Sequence, residues 1–281
     1  MSKVCVVGLG YVGLPLALKL SENGWSVIGF DICNDRIKQL KNKLDVTNET
    51  EIKQLAAFDG SYTNDISDTS GCDTYIVTVP TPIDSFSEPD LMPLKKASQL
   101  VAGVLKKNDL VIYESTVFPG VTEDYCIPIL EEVSGLRVND DIHIGYSPER
   151  INPGDPNRDV SNISKVISAS NKEGLKRVEK LYKSFMTADV FNAESIKIAE
   201  ASKLLENTQR DVNIALMNEF SEVLNRLGVD THKVIAAAAS KWNFQPYYPG
   251  LVGGHCIGVD PFYFIYKAKQ LGAMAQLVSA A

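Results

Sequence analysis

Apolar and polar positions along the chain fall into short β-like runs that alternate with stretches of helical period. Lys3–Val7 (KVCVV) is a β-rich run, and the glycine-rich GLGYVG (Gly8 to Gly13) follows it. LPLALKLSENG then has apolar positions at helical spacing and stops at Gly24, a natural C-terminal cap. Trp25–Asp31 reads as the next strand, and a charged helix is expected from Asn34 to about Lys43. Further strands are expected at Asp73–Val79, Asp109–Ser115 and Ile142–Ser147, with helices over Leu94–Leu105 and Thr122–Val133. KVISAS (Lys165–Ser170), a helix near Lys172–Phe185 and a strand at ADVFNA (Ala188–Ala193) complete this half. Strands alternating with helices predict an α/β fold with a parallel, doubly wound sheet.

From Glu194 to Leu227 the chain has neither Gly nor Pro. Apolar positions recur at Ile196, Ala199, Leu204, Leu205, Val212, Ala215, Leu216, Phe220, Val223, Leu224 and Leu227. This predicts one long helix stopped at Gly228; roughly 32 residues would reach about 48 Å. Such a helix links domains or builds an oligomer interface, so a homodimer is expected; the plainer reading is a monomer whose helix packs on its own sheet. A shorter helix, His232 to Ser240, precedes the Gly/Pro-rich stretch PGLVGGHCIGVDPFYF. The expected organisation is a first domain over residues 1–193 and an α-helical domain over residues 194–281.

Composition removes several classes. The 281 residues are 44% hydrophobic and 22% charged, with a formal charge of −7. That balance fits an ordinary soluble globular protein. It opposes non-specific nucleic-acid binding, which needs a basic face, but not an anionic small substrate held by local cations. The five cysteines (Cys5, Cys33, Cys72, Cys126 and Cys256) are odd in number and widely spaced. A disulfide framework is not expected, and a reducing cytoplasm fits better. None of the three histidines stands at metal-ligand spacing, so no metal site is expected. The first twenty residues hold three glycines and no small-residue cleavage site, unlike a signal peptide. No apolar run approaches the roughly 20 residues a membrane span needs.

Gly8-x-Gly10-x-x-Gly13 alone would be weak evidence. Here it follows a strand, opens a helix, and precedes Asp31 at the end of the next strand. In that context it is a dinucleotide fingerprint on a Rossmann-type domain. The first glycine permits the turn, the second lets a pyrophosphate approach the backbone, and the third lets the helix pack on the sheet with its N-terminus at the phosphates. Asp31 would accept hydrogen bonds from the adenosine ribose and repel a 2′-phosphate, which favours NAD over NADP. Tyr11, Val12 and Arg36 join the candidate cofactor residues. So do Pro80, Thr81 and Thr116, which follow strand ends where ligands bind such sheets; ordinary loop chemistry would account for these last three equally well.

The long helix carries Glu200, Lys203, Asn207 and Arg210. Lys203 and Asn207 are four residues apart and share a face, where an ammonium beside an amide could hold a developing oxyanion. Spacing alone favours a solvated helix face instead. Cys256 is ambiguous as well, since a free cysteine is often a small core residue. The glycines before it and Asp260 after it favour a usable thiol. His255 is read as structural.

These residues bring a resemblance into view. The sequence resembles, over its whole length, the nucleotide-sugar dehydrogenases that oxidise the C6 alcohol of a UDP-sugar to a carboxylate. GLGYVGLPLA, TVPTP, YESTVFPG, GYSPERINPGD, AEASKLLENTQRDVNIALMNE and GLVGGHCIGVDP carry it, in order. UDP-glucose members continue the Ser-Pro-Glu motif with Phe-Leu-Arg-Glu; here Arg150-Ile151-Asn152-Pro153-Gly154 follows Glu149, a version similar to bacterial UDP-N-acetylhexosamine 6-dehydrogenases, including the UDP-N-acetylglucosamine enzymes of the Vi-antigen type. The resemblance implies a four-electron oxidation with two NAD used in turn. An aldehyde is trapped by Cys256 as a thiohemiacetal, oxidised to a thioester and released by water. It further implies oxyanion stabilisation by Lys203 and Asn207, a water positioned by Asp260 and Thr116, and Glu149 as acid/base or substrate contact. Arg150, Tyr248 and Gly253 join Glu149, Lys203 and Asn207 as expected substrate contacts. The glucose enzymes carry a second glutamate where Pro153 stands, so the base for thioester hydrolysis is left between Glu149 and Asp260.

Family members continue past the cysteine loop into a C-terminal α/β domain that binds uridine diphosphate, whereas this sequence ends at QLVSAA. The expected activity therefore attaches to the full-length parent rather than to this polypeptide, for which an NAD-binding fragment left inactive by truncation is an alternative. Three alternatives stay open. A UDP-glucose 6-dehydrogenase would be separated by a substrate panel. A non-catalytic NAD-binding module would bind NAD without turnover. A two-electron β-hydroxyacid dehydrogenase would not need Cys256. The epimer of the N-acetylhexosamine is not readable from sequence.

Overall fold

In the computed structural model the described residues are 2–47, 49–151, 159–253 and 257–281. The chain divides into two compact units: Met1–Thr81 with Asp90–Ala201, and Pro82–Pro89 with Ser202–Ala281. The division falls inside the long helix, a little beyond the expected boundary at 193/194.

The first unit is built on eight strands: β1 (Lys3–Val7), β2 (Ser26–Phe30), β3 (Ser61–Thr63), β4 (Thr74–Val77), β5 (Leu110–Tyr113), β6 (His143–Tyr146), β7 (Lys165–Ala169) and β8 (Val190–Asn192). Their order is β3-β2-β1-β4-β5-β6-β7-β8. All neighbours are parallel except β6 and β7. The antiparallel step departs from the purely parallel expectation. Chain reversal within the sheet at that point lets β7 pair beside β6 without a crossover helix. β4 and β5 are buried along their whole length, as strands covered on both faces must be.

The helices of this unit are α1 (Gly13–Glu22), α2 (Asn34–Lys41), α3 (Ile52–Ala57), α4 (Met92–Ala102), α5 (Ile127–Ser134) and α6 (Lys172–Lys183). α3 and β3 escaped the sequence reading, being only six and three residues long. α5 begins later than expected, because Thr122–Cys126 forms a wider π turn before it. The core joins Leu14, Leu18 and Leu20 of α1, Ile37 and Leu40 of α2, and Val178 and Tyr182 of α6 to Val4, Val6, Ile76 and Ile112 of the sheet.

The register aligns the carboxyl ends of the strands. Val7 pairs with Phe30 and Val77, Val77 with Tyr113, and Tyr113 with Tyr146. Gly8, Asp31, Thr78, Glu114 and Ser147 each come directly after these residues, so all five occupy one edge of the sheet.

The long helix α7 runs Ile196–Arg226, 31 residues. It ends as glycine dictates: Gly228 takes φ +71°, and Val229 N–H reaches back to the Leu224 carbonyl at 2.9 Å. The second unit then adds α8 (Thr231–Ala238), capped by the Asp230 carboxylate on Lys233 N–H, and α9 (Asp260–Gln270) and α10 (Gln276–Ala280). Asn218 on α7 clasps Gly250 twice, donating to its carbonyl at 2.9 Å and accepting its N–H at 2.8 Å. Tyr247 donates to Gln209 at 3.1 Å. These bonds lay the Pro/Gly loop along the helix. Among the described residues no helix is long and apolar enough to cross a membrane.

Candidate active site

At the glycine turn the fold explains each glycine differently. Gly8 has φ +95°, which an L side chain resists, and its N–H donates to the Phe30 carbonyl at 2.8 Å. A Cβ on Gly13 would lie 1.9 Å from the Gly8 carbonyl oxygen and 2.4 Å from Thr78 Oγ1, so helix and strand meet there without room for a methyl group. A Cβ on Gly10 would meet nothing within 4 Å. One glycine is thus fixed by packing, and another leaves its backbone open to a ligand. The first turn of α1 has no side-chain cap and no acidic residue, leaving the positive end of the helix for an anion.

Asp31 is anchored at that edge. Its Oδ2 accepts Leu9 N–H at 2.8 Å and its Oδ1 accepts Cys33 N–H at 2.9 Å. Arg36 is buried; its Nε donates to the Leu9 carbonyl at 2.8 Å, and its guanidinium ion-pairs with Asp45 at 2.8 Å. The Leu9 peptide is therefore held from one side by an acid and from the other by a base. Arg36 braces the turn through its neighbour's backbone. Asp45 in turn is gathered by Thr47 and Thr50; burial alone would raise its pKa, but these hydrogen bonds and Arg36 outweigh burial and hold the carboxyl below its ordinary pKa. Farther along the edge, Thr81 Oγ1 donates to the Thr116 carbonyl at 2.7 Å and Ser115 Oγ to the Val79 carbonyl at 2.6 Å, tying the two post-strand loops together, with Pro80 exposed between them. Tyr11 and Val12 lie within the turn, partly exposed and at the helix start. An open Gly10, an uncapped helix start and a rigidly held Asp31 fit a cofactor with a pyrophosphate and a ribose.

Glu149 lies in a setting that the sequence reading missed. Its Oε2 is 2.9 Å from Lys165 Nζ, and its Oε1 accepts Arg150 and Ile151 N–H at 2.6 and 2.7 Å. Lys165 also reaches Glu114 at 3.1 Å, and Tyr182 donates to Glu114. Burial drives Glu114 up to about 7, against the pull of Lys165. Glu149 goes the other way: burial would raise it, but Lys165 and the backbone donors hold it low. Arg150 donates to the Ser164 carbonyl at 2.9 Å. A glutamate ending an apolar strand and a lysine opening another were the only signals in the sequence, and nothing local pairs them.

On α7, Lys203 and Asn207 are 5% and 4% exposed, which excludes the solvated-face reading. Asn207 Nδ2 donates to Asp260 Oδ2 at 2.5 Å, and Asp260, in the first turn of α9, is 2% exposed. Burial raises the Asp260 carboxyl from 3.8 to about 6, while Asn207 and Lys203 oppose the rise. The pair separated by one helical turn and the acid 53 residues later thus form one buried cluster. Glu200, one turn before Lys203, is fully buried and accepts N–H groups of Gly120 and Thr122 at 2.6 and 2.9 Å; burial brings it to about 7. Tyr248 stacks on His232 with ring centroids 5.6 Å apart, and Gly253 is exposed with open space around it. Cys256 and its neighbour His255, like Pro153, lie outside the described residues. Among the described residues no group of three or more His, Cys, Asp or Glu could hold a metal ion.

The first unit is thus a dinucleotide-binding α/β domain with a fixed acid at the second strand, and the second carries a buried cluster of Lys203 and Asn207 from the long helix with Asp260 from α9. Residues 2–186 match the NAD binding domain of the UDP-glucose/GDP-mannose dehydrogenase family, and residues 197–281 match its central domain. The chain belongs to that family. It is 53% identical over 279 residues to the UDP-N-acetyl-D-glucosamine 6-dehydrogenase of Pseudomonas aeruginosa, covering 99% of this chain and 66% of the relative. The Salmonella typhi protein of the same name is 49% identical, with 99% and 65% covered. Among solved structures, the UDP-D-ManNAc dehydrogenase of Pyrococcus horikoshii superposes with a TM-score of 0.91 at 35% identity, over 98% of this chain and 66% of that one. The chain therefore spans 65–66% of the length of the two curated relatives.

Proposed function

We propose that the full-length protein oxidises the C6 alcohol of a UDP-N-acetylhexosamine, UDP-N-acetylglucosamine in the first place, to the uronic acid. The observation that carries this reading is the buried Lys203–Asn207–Asp260 cluster, in a chain 53% identical to a UDP-N-acetyl-D-glucosamine 6-dehydrogenase. NAD, held at the glycine turn, supplies the hydride acceptor for each of two oxidations. The Lys203 ammonium and the Asn207 amide stabilise the alkoxide of the alcohol and the oxyanions of the later tetrahedral species. Cys256 attacks the aldehyde, forming a C–S bond while the carbonyl oxygen takes a proton. Loss of the second hydride and of that proton leaves a thioester, which water cleaves to the acid and the free thiol.

Asp260 is the base for that last step. With a pKa near 6 it is mostly ionised at neutral pH, yet basic enough to take a proton from water. Glu149 is saturated by Lys165 and two backbone donors, which suits a fixed anion that orients its segment and the substrate better than it suits a proton carrier. Thr116 and Arg150 complete the proposed contacts, with Tyr248 and Gly253. Along α7 the exposed Leu216, Phe220, Val223 and Leu227 recur at intervals of four, three and four residues, supporting a homodimer through this face. We place the enzyme in the cytoplasm, in capsule or O-antigen polysaccharide synthesis; the described cysteines Cys5, Cys33, Cys72 and Cys126 are free thiols, which suits a reducing compartment.

The reading is tested by kcat/KM of the full-length parent on UDP-N-acetylglucosamine, its galactosamine and mannosamine counterparts, and UDP-glucose. An N-acetylated sugar should lead by at least about tenfold, which is about 1.4 kcal/mol of discrimination. A preference for UDP-glucose would overturn it.

A further inference from the structure

Of the three charged groups around β7, Glu149 has been given a part in the chemistry just described and Lys165 and Glu114 have none of their own, yet all three occupy the ligand edge of the sheet. Glu114 directly follows β5 and stands level with Gly8 and Asp31, because Tyr113, Val77 and Val7 are in register. Lys165 opens β7, on the far side of β6. Its side chain is 6% exposed, Glu114's is fully buried, and Glu149's is 14% exposed. The ammonium sits 3.1 Å from one carboxylate and 2.9 Å from the other, with the Tyr182 ring 5.1 Å from it and the Tyr182 hydroxyl donating to Glu114. A lysine buried this deeply is held only by paired acids. Two acids to one base is one negative charge in excess, and Glu114 is the member that burial pushes toward its protonated form. The arrangement is a strut. Tyr182 and Glu114 fix Lys165, Lys165 fixes Glu149 Oε2, and Glu149 Oε1 fixes the backbone at Arg150 and Ile151.

We propose that Lys165 is a positioning residue, which with Glu114 and Tyr182 behind it holds the Glu149 carboxylate and the Glu149–Ile151 backbone in the geometry that receives the sugar nucleotide. The inference rests on the proposed function for its kinetic readout, but not for its structural one.

In the full-length parent, Lys165→Met should lower kcat/KM for the sugar nucleotide on the order of 100-fold, as small misplacements of positioning groups do. NAD affinity should stay within about twofold, because the glycine turn lies beyond the strut. Lys165→Arg should restore most of the loss, since the guanidinium can span the same two acids. A merely structural lysine would lower the melting temperature and leave kcat/KM of the folded enzyme intact; that result, or an Arg variant as poor as Met, would overturn the inference. Should Lys165→Met fail to fold, Glu114→Gln keeps the shape and removes one acid, and it should shift KM for the sugar nucleotide with NAD affinity unchanged; unchanged KM would count against the strut. Should the wild-type parent turn over no UDP-sugar, the proposed function fails first, and the strut is judged on this chain by NMR of 13C-labelled glutamate carboxyls. Glu149 should stay ionised below the ordinary carboxylate range in the wild type and in Lys165→Arg, and should rise toward or above that range in Lys165→Met, which removes the cation; an unshifted Glu149 in Lys165→Met would count against the strut. A Glu149 that titrates normally in the wild type would refute the geometry outright.

Discussion

The glycine turn and the Lys203–Asn207–Asp260 cluster solve the same task, holding polar groups ready inside a folded chain, in opposite ways. The turn is made from backbone. Its key groups lie within Gly8 to Arg36, they are held by hydrogen bonds to Leu9, and Gly10 remains open. The cluster is made from side chains far apart in the chain, Asn207 and Asp260 being 53 positions apart, and its readiness comes from burial that raises an acid to about 6. A backbone site fails when sterics change and is nearly indifferent to pH. A site of buried side chains keeps its fold through isosteric change but loses its chemistry, and it carries an electrostatic cost that pH can tune.

The sharpest way to break that contrast is Gly13→Ala. Its methyl group would meet the Gly8 carbonyl at 1.9 Å, so stability should fall by about 3 kcal/mol or more and NAD binding should be lost. Thermal unfolding with an NAD titration reads both; a stable, NAD-binding variant would undo the packing argument. Next in size is Asp260→Asn. The folded state binds the Asp260 proton more tightly than the unfolded chain does, so this group's contribution to stability is full below about pH 4 and is lost as pH rises through 6. Above pH 6 the ionised acid is therefore a burden of order 2–3 kcal/mol. Asn should make the protein more stable at pH 8 and flatten this part of its stability–pH curve. In the full-length parent it should cost about 100-fold or more in acid formation. Denaturant curves at pH 5 and pH 8 check the sign; a variant less stable at pH 8 would show the opposite.

A middle-sized effect is expected at Arg36→Met, which leaves Asp45 and the Leu9 carbonyl without their base. A loss of about 2 kcal/mol and a several-fold weaker NAD affinity should follow. An unchanged NAD affinity would reduce Arg36 to a loop anchor. Smallest on stability is Gly10→Ala, within about 0.5 kcal/mol, because nothing surrounds the added methyl group. Its NAD affinity should nonetheless drop about tenfold. Equal stability losses at Gly10 and Gly13 would erase the distinction between an open glycine and a packed one.

The same contrast decides what could be read from the amino-acid order. Strands such as Lys3–Val7 and the 31-residue helix announce themselves by local periodicity, and the fingerprint by local spacing. α3 and β3 do not, because six and three residues carry no period; α3 is held by a box between Glu51 and Gln54. The antiparallel β7 is a matter of tertiary pairing. Lys203 and Asn207 were visible as a pair, but spacing favoured an exposed face, and only their burial reverses that. Lys165 was invisible as a site residue, since its two acids lie 51 and 16 positions away in the chain. The family resemblance reached the residues whose roles attach to motifs and passed over those whose role attaches to a partner.

The proposed joint work of the buried Lys203–Asn207–Asp260 cluster and Cys256, carrying an alcohol through two oxidations, is open to one stoichiometric measurement. The most direct measurement is the NADH formed per UDP-N-acetylglucosamine consumed by the full-length parent, alongside its Cys256→Ser variant. Two NADH per sugar are expected from the parent and no acid from the variant. One NADH per sugar, or full acid production without the thiol, would contradict it.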